Sequence, residues 1–208
     1  MYKKLKKIIR TRLVPVIKVL NFLNFKIYLL KHEEINLIIG SGKTHFKNWF
    51  STDIETLNVT EESDFKKFFH SKKIDRVLAE HVIEHLTSEE INTMLNNIYK
   101  YSSPKINIRI AVPDGFHNDP EYILKVKPGG TGEGASDHKH LFNYKSLQQV
   151  AKERNFKVEL IEYWDENGEF HSNYKNDEKG YIRRSFLNDA RNSNNAPRYT
   201  SLIIDLKK

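Results

Sequence analysis

The feature that most constrains this chain is a row of short apolar runs, each closed by glycine, proline or an acid, alternating with stretches of helical periodicity. Ile35–Ile39 (INLII) runs into Gly40-Ser41-Gly42, and Trp49–Ile54 carries Asp53 near its end. Leu57–Val59 is a candidate for a very short third strand. Ile74–Ala79 and the alternating Lys105–Val112 (KINIRIAV) follow, the latter stopping at Pro113-Asp114-Gly115. Phe156–Tyr163 and Tyr199–Leu206 complete the strands. Between them, acids in the first turn after Thr60 predict a helix to His70, and Thr87 or Ser88 caps a helix over Ser88–Tyr101. A further helix is predicted over Tyr144–Asn155. Strands alternating with helices define an α/β domain with a mainly parallel sheet covered on both faces, and ligands of such sheets bind at the carboxyl ends of the strands. Two polar excursions interrupt the pattern, 115–140 and 164–198; a long irregular stretch inside a compact domain is usually functional.

With 208 residues the chain is long enough for one self-sufficient core. It has no cysteine, which excludes a disulfide scaffold, a thiolate metal site and a cysteine nucleophile, and fits a reducing compartment. A net charge of +7 invites a nucleic-acid reading until its location is considered. Nine of the 34 basic residues precede the first acid, Glu33, leaving 25 against 27 acidic ones in the remainder. The near-neutral body argues against broad nucleic-acid binding. Residues 1–31 alternate cations with apolar side chains at helical spacing, a pattern that fits an interfacial helix on anionic lipid or a helix covering one edge of the domain. Pro15 is expected to kink or divide this helix. Lys18 and Lys26 interrupt the apolar run, so it is not expected to span a bilayer. The organisation read from this is a basic helical segment, 1–31, and an α/β domain, 32–208.

Gly40–Thr44 spells GSGKT, the tail of a phosphate-binding loop, which keeps a nucleotide-dependent phosphotransferase as an alternative. The full motif needs glycine at position 37, where Leu37 stands. A different reading uses the whole row of strand ends. A glycine turn after the first strand lets the backbone approach a ligand, and an acid ending the second can accept hydrogen bonds from both hydroxyls of a ribose. Asp53 is placed for this, and Asn58, Glu80 and His81 are placed to flank a flat base.

The segments INLIIGSG (35–42), WFSTDI (49–54), LAEHVIEHL (78–86), IRIAVPDG (108–115), DPEYI (119–123), KPGGTG (127–132), DHKHLFNYKSL (137–147) and TSLIIDLKK (200–208) resemble the class I S-adenosylmethionine-dependent methyltransferases. They resemble most a branch of small bacterial methyltransferase-like proteins associated with surface-polysaccharide gene clusters. The resemblance implies a Rossmann-like seven-stranded, mostly parallel sheet with helices on both faces and an antiparallel last strand. It also implies S-adenosylmethionine as cofactor, held by Gly40, Ser41, Gly42, Asp53, Ile54, Asn58, Glu80 and His81. Lys43 and Asn58 depart from the family pattern. A methyltransferase-like binding module without turnover is therefore a second alternative.

Methyl transfer from a sulfonium needs alignment of acceptor, methyl and sulfur, and a hydroxyl acceptor also benefits from a base. The candidates gather in the first excursion: Asp114, His117, Asp119, Asp137, His138 and His140, with Asp137-His138 as an oriented base. Asp114, His117, Asp137 and His138 are taken as the catalytic set, and no metal site is assigned, His-x-His with carboxylates falling short of a specific pattern. Glu84 and His85 read as structural or cofactor-facing. The second excursion mixes Trp164, Phe170, His171, Tyr174 and Tyr181 with Arg183, Arg184, Arg191 and Arg198, a composition suited to a sugar or nucleotide-sugar. The expectation is a cytoplasmic methyltransferase acting on a small or glycan-linked acceptor, held peripherally at the inner membrane face if residues 1–31 bind lipid.

Overall fold

A computed structural model describes residues 2–192, 194 and 196–208, and the side chains from Leu13 onward. The chain begins with a long helix, α1 (Tyr2–Lys31), and continues β1 (Asn36–Ile39), β2 (Phe50–Ser51), α2 (Glu62–Phe68), β3 (Ile74–Glu80), α3 (Ser88–Tyr101) and β4 (Ser102–Pro113). It then forms α4 (Pro120–Val126), α5 (Tyr144–Lys152), β5 (Lys157–Trp164), β6 (Phe170–Ser172) and β7 (Ser201–Lys207). The seven strands form one sheet in the order β2-β1-β3-β4-β7-β5-β6. β2, β1, β3 and β4 are mutually parallel, and β7 runs antiparallel to both β4 and β5. This is the expected Rossmann-like α/β sheet with a reversed last strand. Its seventh member differs from the expectation, however. Leu57–Val59 is a buried loop, and β6, which pairs antiparallel with β5, supplies the strand instead.

Local chemistry explains the best-placed elements. Thr87 and Glu90 form a reciprocal capping box at the start of α3, whose Ile91, Met94, Leu95 and Ile98 are buried. Asn143 and Ser146 do the same for α5, and Asp119 caps α4, with Pro120 in its first turn.

α1 is not divided at Pro15, which lies inside a continuous helix. Pro15 is itself exposed to solvent there. The helix ends at Lys31, as the expected segment does, and its second half packs against the domain. Phe25 is buried and its ring meets Phe50, Phe68 and Phe69 at centroid distances of 4.7, 5.0 and 5.5 Å. Tyr28 Oη accepts from Asn36 N and donates to the Asn48 carbonyl, both at 3.0 Å. Phe22, Phe25, Tyr28 and Leu29 thus pack into the core of the α/β body.

Both faces of the sheet are covered, by different material. α1, α2, α3 and α5 pack their apolar sides into the larger cluster with Leu37, Ile39, Val77, Ala79, Ile108 and Ile110. On the other face, Ile38, Leu78, Ala111 and Ile203 meet Tyr174 and Ile182 of the second excursion, with Phe46 and Trp49. Arg109, at the centre of β4, fastens this cover. It donates to Asp205 through Nε (2.8 Å) and Nη2 (2.9 Å), and through Nη1 to Asp177 (2.7 Å) and the Gly180 carbonyl (2.8 Å).

Glu162 is a second fastening: its carboxylate accepts from Phe186 N and Ser172 Oγ in a fully buried position. Burial pushes its carboxyl up from 4.5 to about 7. A group with a raised folded value holds more protons folded than unfolded, so its contribution is full below the ordinary value and falls as pH rises toward 7. The melting temperature is therefore expected to show a downward component between pH 5 and 8, at least halved in Glu162→Gln. Parallel slopes in wild type and variant would contradict this.

Candidate active site

The parallel strands bring their carboxyl ends to one edge, so residues far apart in sequence become neighbours there. β1 stops at Ile39 because Gly40 takes a positive φ of 58°; a Cβ at that position would lie 2.7 Å from Val82 Cγ2. The chain then returns alongside β1: Thr52 N donates to the Ile38 carbonyl (2.8 Å) and Ser41 N to the Thr52 carbonyl (2.9 Å). These two bonds seat Asp53 over the glycine turn, where Gly42 N donates to its Oδ1 at 3.1 Å. No helix follows Gly40–Thr44; the chain turns directly toward β2. The loop therefore lacks the helix N-terminus that a phosphate cradle uses, which removes the basis of the phosphotransferase alternative.

Two cavities adjoin at Gly40. The first, of about 220 Å³, is a mainly apolar groove between Ile54, Leu57, Val82 and Leu86, with Asp53 and Asn58 on its walls. The second, of about 260 Å³, is polar and takes in Ser41, Gly42, Lys43, Glu80 and His81. The eight residues expected to hold a cofactor thus line one or both cavities. Some are committed elsewhere. Asn58 Oδ1 accepts from Thr60 N and Oγ1, capping its own turn. Glu80 accepts from Arg183 Nε (3.0 Å) and Arg184 N (2.9 Å). His81, at a φ of 55° rare for a residue with a side chain, places its imidazole between Glu84 Oε1 (3.0 Å) and Ser201 Oγ (3.2 Å).

The catalytic set separates. Asp114 is fully buried, its oxygens accepting from Phe116 N and Trp164 N, so it ties the end of β4 to the end of β5. Burial pushes it up to about 6. His117 is buried against Tyr122 (centroids 3.9 Å) and Trp164 (4.9 Å), and burial lowers it to about 4. Neither lines either of these two cavities, so the structure does not bring them to the residues expected to hold the cofactor. The Asp137-His138 pair is corrected: Asp137 approaches His85, with Oδ1 3.1 Å from Nδ1. His138 is oriented instead by the Val126 carbonyl, 2.7 Å from its Nδ1, and lines the polar cavity.

Sequence reasoning left Glu84 as structural or cofactor-facing and missed its contact with His81 at the polar cavity. It is fully buried at the polar cavity, on the 3-10 turn Ile83–His85. Burial raises its carboxyl, but the His81 hydrogen bond and the charges of His81 and His85 carry it below the ordinary value. Glu84, His85 and His138 each present a ligand atom within 4.8 Å of the others, and Asp165, Glu169 and His171 form a similar, more exposed group. The VIEHL signal was visible, but nothing nearby in the chain pointed to its partner at 138. Of the second excursion, Arg183 and Arg184 reach the polar cavity, whereas Trp164 and Tyr174 are buried in packing. Arg191 pairs with Asp189.

No family model matches the chain, and no curated protein matches it. Solved structures do. A SAM-dependent methyltransferase from Archaeoglobus fulgidus is 18% identical, covering 92% of this chain and 94% of its own, with a TM-score of 0.46. A methyltransferase from Mesorhizobium loti is 7% identical over 84% of this chain and 81% of its own, at 0.47. Magnesium protoporphyrin IX methyltransferase from Synechocystis, solved with bound SAH, is 7% identical over 92% and 83%, at 0.42. All three scores lie below 0.5, and the functional reading rests on the site's own residues.

Proposed function

We propose that this chain binds S-adenosylmethionine and transfers its methyl group to a small or glycan-linked acceptor bearing hydroxyls. The observation that carries the reading is the Asp53 carboxylate, seated over the Gly40–Gly42 turn at the mouth of an apolar groove. The groove suits an adenosine, with both ribose hydroxyls on Asp53. The methionyl part then passes Gly40 into the polar cavity. A bound S-adenosylmethionine would supply a sulfonium methyl there; an acceptor hydroxyl aligned in this cavity would take it as the carbon–sulfur bond broke to a neutral thioether, and its proton would pass to water in the open cavity. Lys43, Lys125, Arg183 and Arg184 line this cavity and suit the hydroxyls or phosphate of a sugar or nucleotide-sugar. The resemblance of the sequence to a branch associated with surface-polysaccharide gene clusters supports a role in polysaccharide biosynthesis. The test is calorimetry with S-adenosylhomocysteine, with binding at micromolar affinity expected. Absence of binding would refute the reading, and binding without turnover on a panel of sugar-nucleotides would favour the non-enzymatic alternative.

We also infer that α1 holds the domain at an anionic membrane surface. Leu13–Lys31 is long and apolar enough to cross a membrane by length and composition alone, despite Lys18 and Lys26. A spanning helix would have to withdraw Phe25 and Tyr28 from the core, which favours a helix lying in the interface. Val16, Leu20, Leu23 and Ile27 share one helical face and are exposed, opposite the packed Phe22, Phe25 and Leu29. Nine cations and no acid precede Glu33, matching an anionic leaflet. The full chain is expected to co-sediment with vesicles containing phosphatidylglycerol, and Leu20→Glu/Leu23→Glu, which leaves the packed face intact, should release most of it. Equal sedimentation of the two proteins would refute the inference.

A further inference from the structure

The polar cavity contains an arrangement of donors that methyl transfer alone does not require. Glu84 is fully buried; its Oε1 is taken by His81, while Oε2 has no hydrogen-bond partner among the described residues. His85 Nδ1 is likewise buried without an aligned hydrogen bond, despite the nearby Asp137 oxygen. His138 is delivered from the first excursion. Lys139 N and His140 N donate to the Glu84 carbonyl at 2.7 and 3.3 Å, pinning that segment onto the 3-10 turn. The His85 and His138 rings stand at 77° with centroids 4.6 Å apart. The Val126 carbonyl only accepts, so His138 Nδ1 carries the hydrogen and Nε2 is left as its lone-pair nitrogen. A backbone carbonyl fixing the far nitrogen of an imidazole is the usual outer support of a metal ligand.

A buried carboxylate oxygen without a partner carries a desolvation cost of about 1–3 kcal/mol, and the His85 ring nitrogen, with only a poorly aligned Asp137 oxygen 3.1 Å away, adds to it. One cation between them would satisfy both, together with His138. Two imidazoles and a carboxylate, with no thiolate in the chain, form a donor set for zinc, manganese or iron(II) in preference to calcium or magnesium. The polar cavity leaves room for the remaining coordination positions.

We propose that Glu84, His85 and His138 form a binding site for a divalent transition-metal ion, open to the acceptor cavity. Its existence is independent of the methyl-transfer reading. Its role rests on that reading: the ion would bind the acceptor hydroxyl and lower its proton affinity at the point of attack.

The test is titration of untagged full-length protein with Co²⁺, followed by visible absorption and reversed by Zn²⁺. One saturable site is expected, with Zn²⁺ affinity tighter than about 10 μM. His85→Asn and His138→Asn are each expected to weaken it about tenfold or more. Thermal melts confirm that these variants fold, which the buried Glu84→Gln is less certain to do. His171→Asn, in the exposed group, should leave the affinity unchanged. The proposal is overturned if the wild type shows no saturable site, if His138→Asn binds as wild type, or if His171→Asn alone abolishes binding. Calorimetry with S-adenosylhomocysteine on the same samples separates the two readings. Cofactor binding without metal removes this site alone, and metal binding without cofactor removes its assigned role.

Discussion

Asp53→Ala is expected to weaken S-adenosylhomocysteine binding about 100-fold with little change in melting temperature. Two ribose hydroxyls donating to one carboxylate are charge-assisted hydrogen bonds, worth about 1.5–3 kcal/mol each, and the alanine loses both. Even the lower value for two bonds corresponds to about 100-fold in affinity. Folding should hardly respond. Within the protein the carboxylate accepts from Gly42 N in an exposed contact and from Ser41 Oγ in a long one at 3.5 Å, and water can replace both. The turn itself is held by backbone bonds between residues 38–41 and Thr52. Calorimetry and a thermal melt on the same preparation check both halves. Unchanged affinity would sink the ribose assignment, and a large fall in melting temperature would make Asp53 a structural residue.

Arg109→Met is expected to destabilise the fold by about 3–5 kcal/mol, the usual result of removing one partner from a buried ion pair. The cost comes from Asp205, which is fully buried and loses both guanidinium bonds. Lys179 Nζ, 3.6 Å away, compensates only in part. Of a total stability of about 5–15 kcal/mol, this is a large share, and it corresponds to roughly 6–20 °C in melting temperature. The same substitution frees Asp177 and the Gly180 carbonyl, so the cover over the second sheet face should become accessible to protease between 174 and 186. Because that segment also delivers Arg183 and Arg184 to the polar cavity, function and stability are coupled through one side chain. Arg109→Met/Asp205→Leu should recover much of the loss. A single variant within about 1 kcal/mol of wild type would contradict the account.

What could be read from the chain in isolation was what is written within a few residues. The apolar runs at 35–39, 74–79 and 105–112 became β1, β3 and β4. Thr87 or Ser88 as a cap announced α3, whose expected bounds, Ser88–Tyr101, are those observed. From that order the parallel sheet followed, and with it the row of strand ends where Gly40, Gly42 and Asp53 meet. β6 and α4 were missed because short segments in polar, glycine-rich stretches carry little periodicity.

Only the tertiary structure decided how the two excursions fold back. Asp114 and His117 looked like exposed loop residues with catalytic chemistry, and packing against Trp164 and Tyr122 buried them. Glu84 looked structural or cofactor-facing, and two backbone bonds from residues 139 and 140 brought it a histidine from a distant part of the chain. Arg109 sat unremarked in an alternating strand, yet its partner Asp205 lies 96 residues away. Periodicity and capping are short-range and leave a local record in the sequence. Burial of a charge is settled by which segments close over it, and that depends on contacts the intervening residues do not encode.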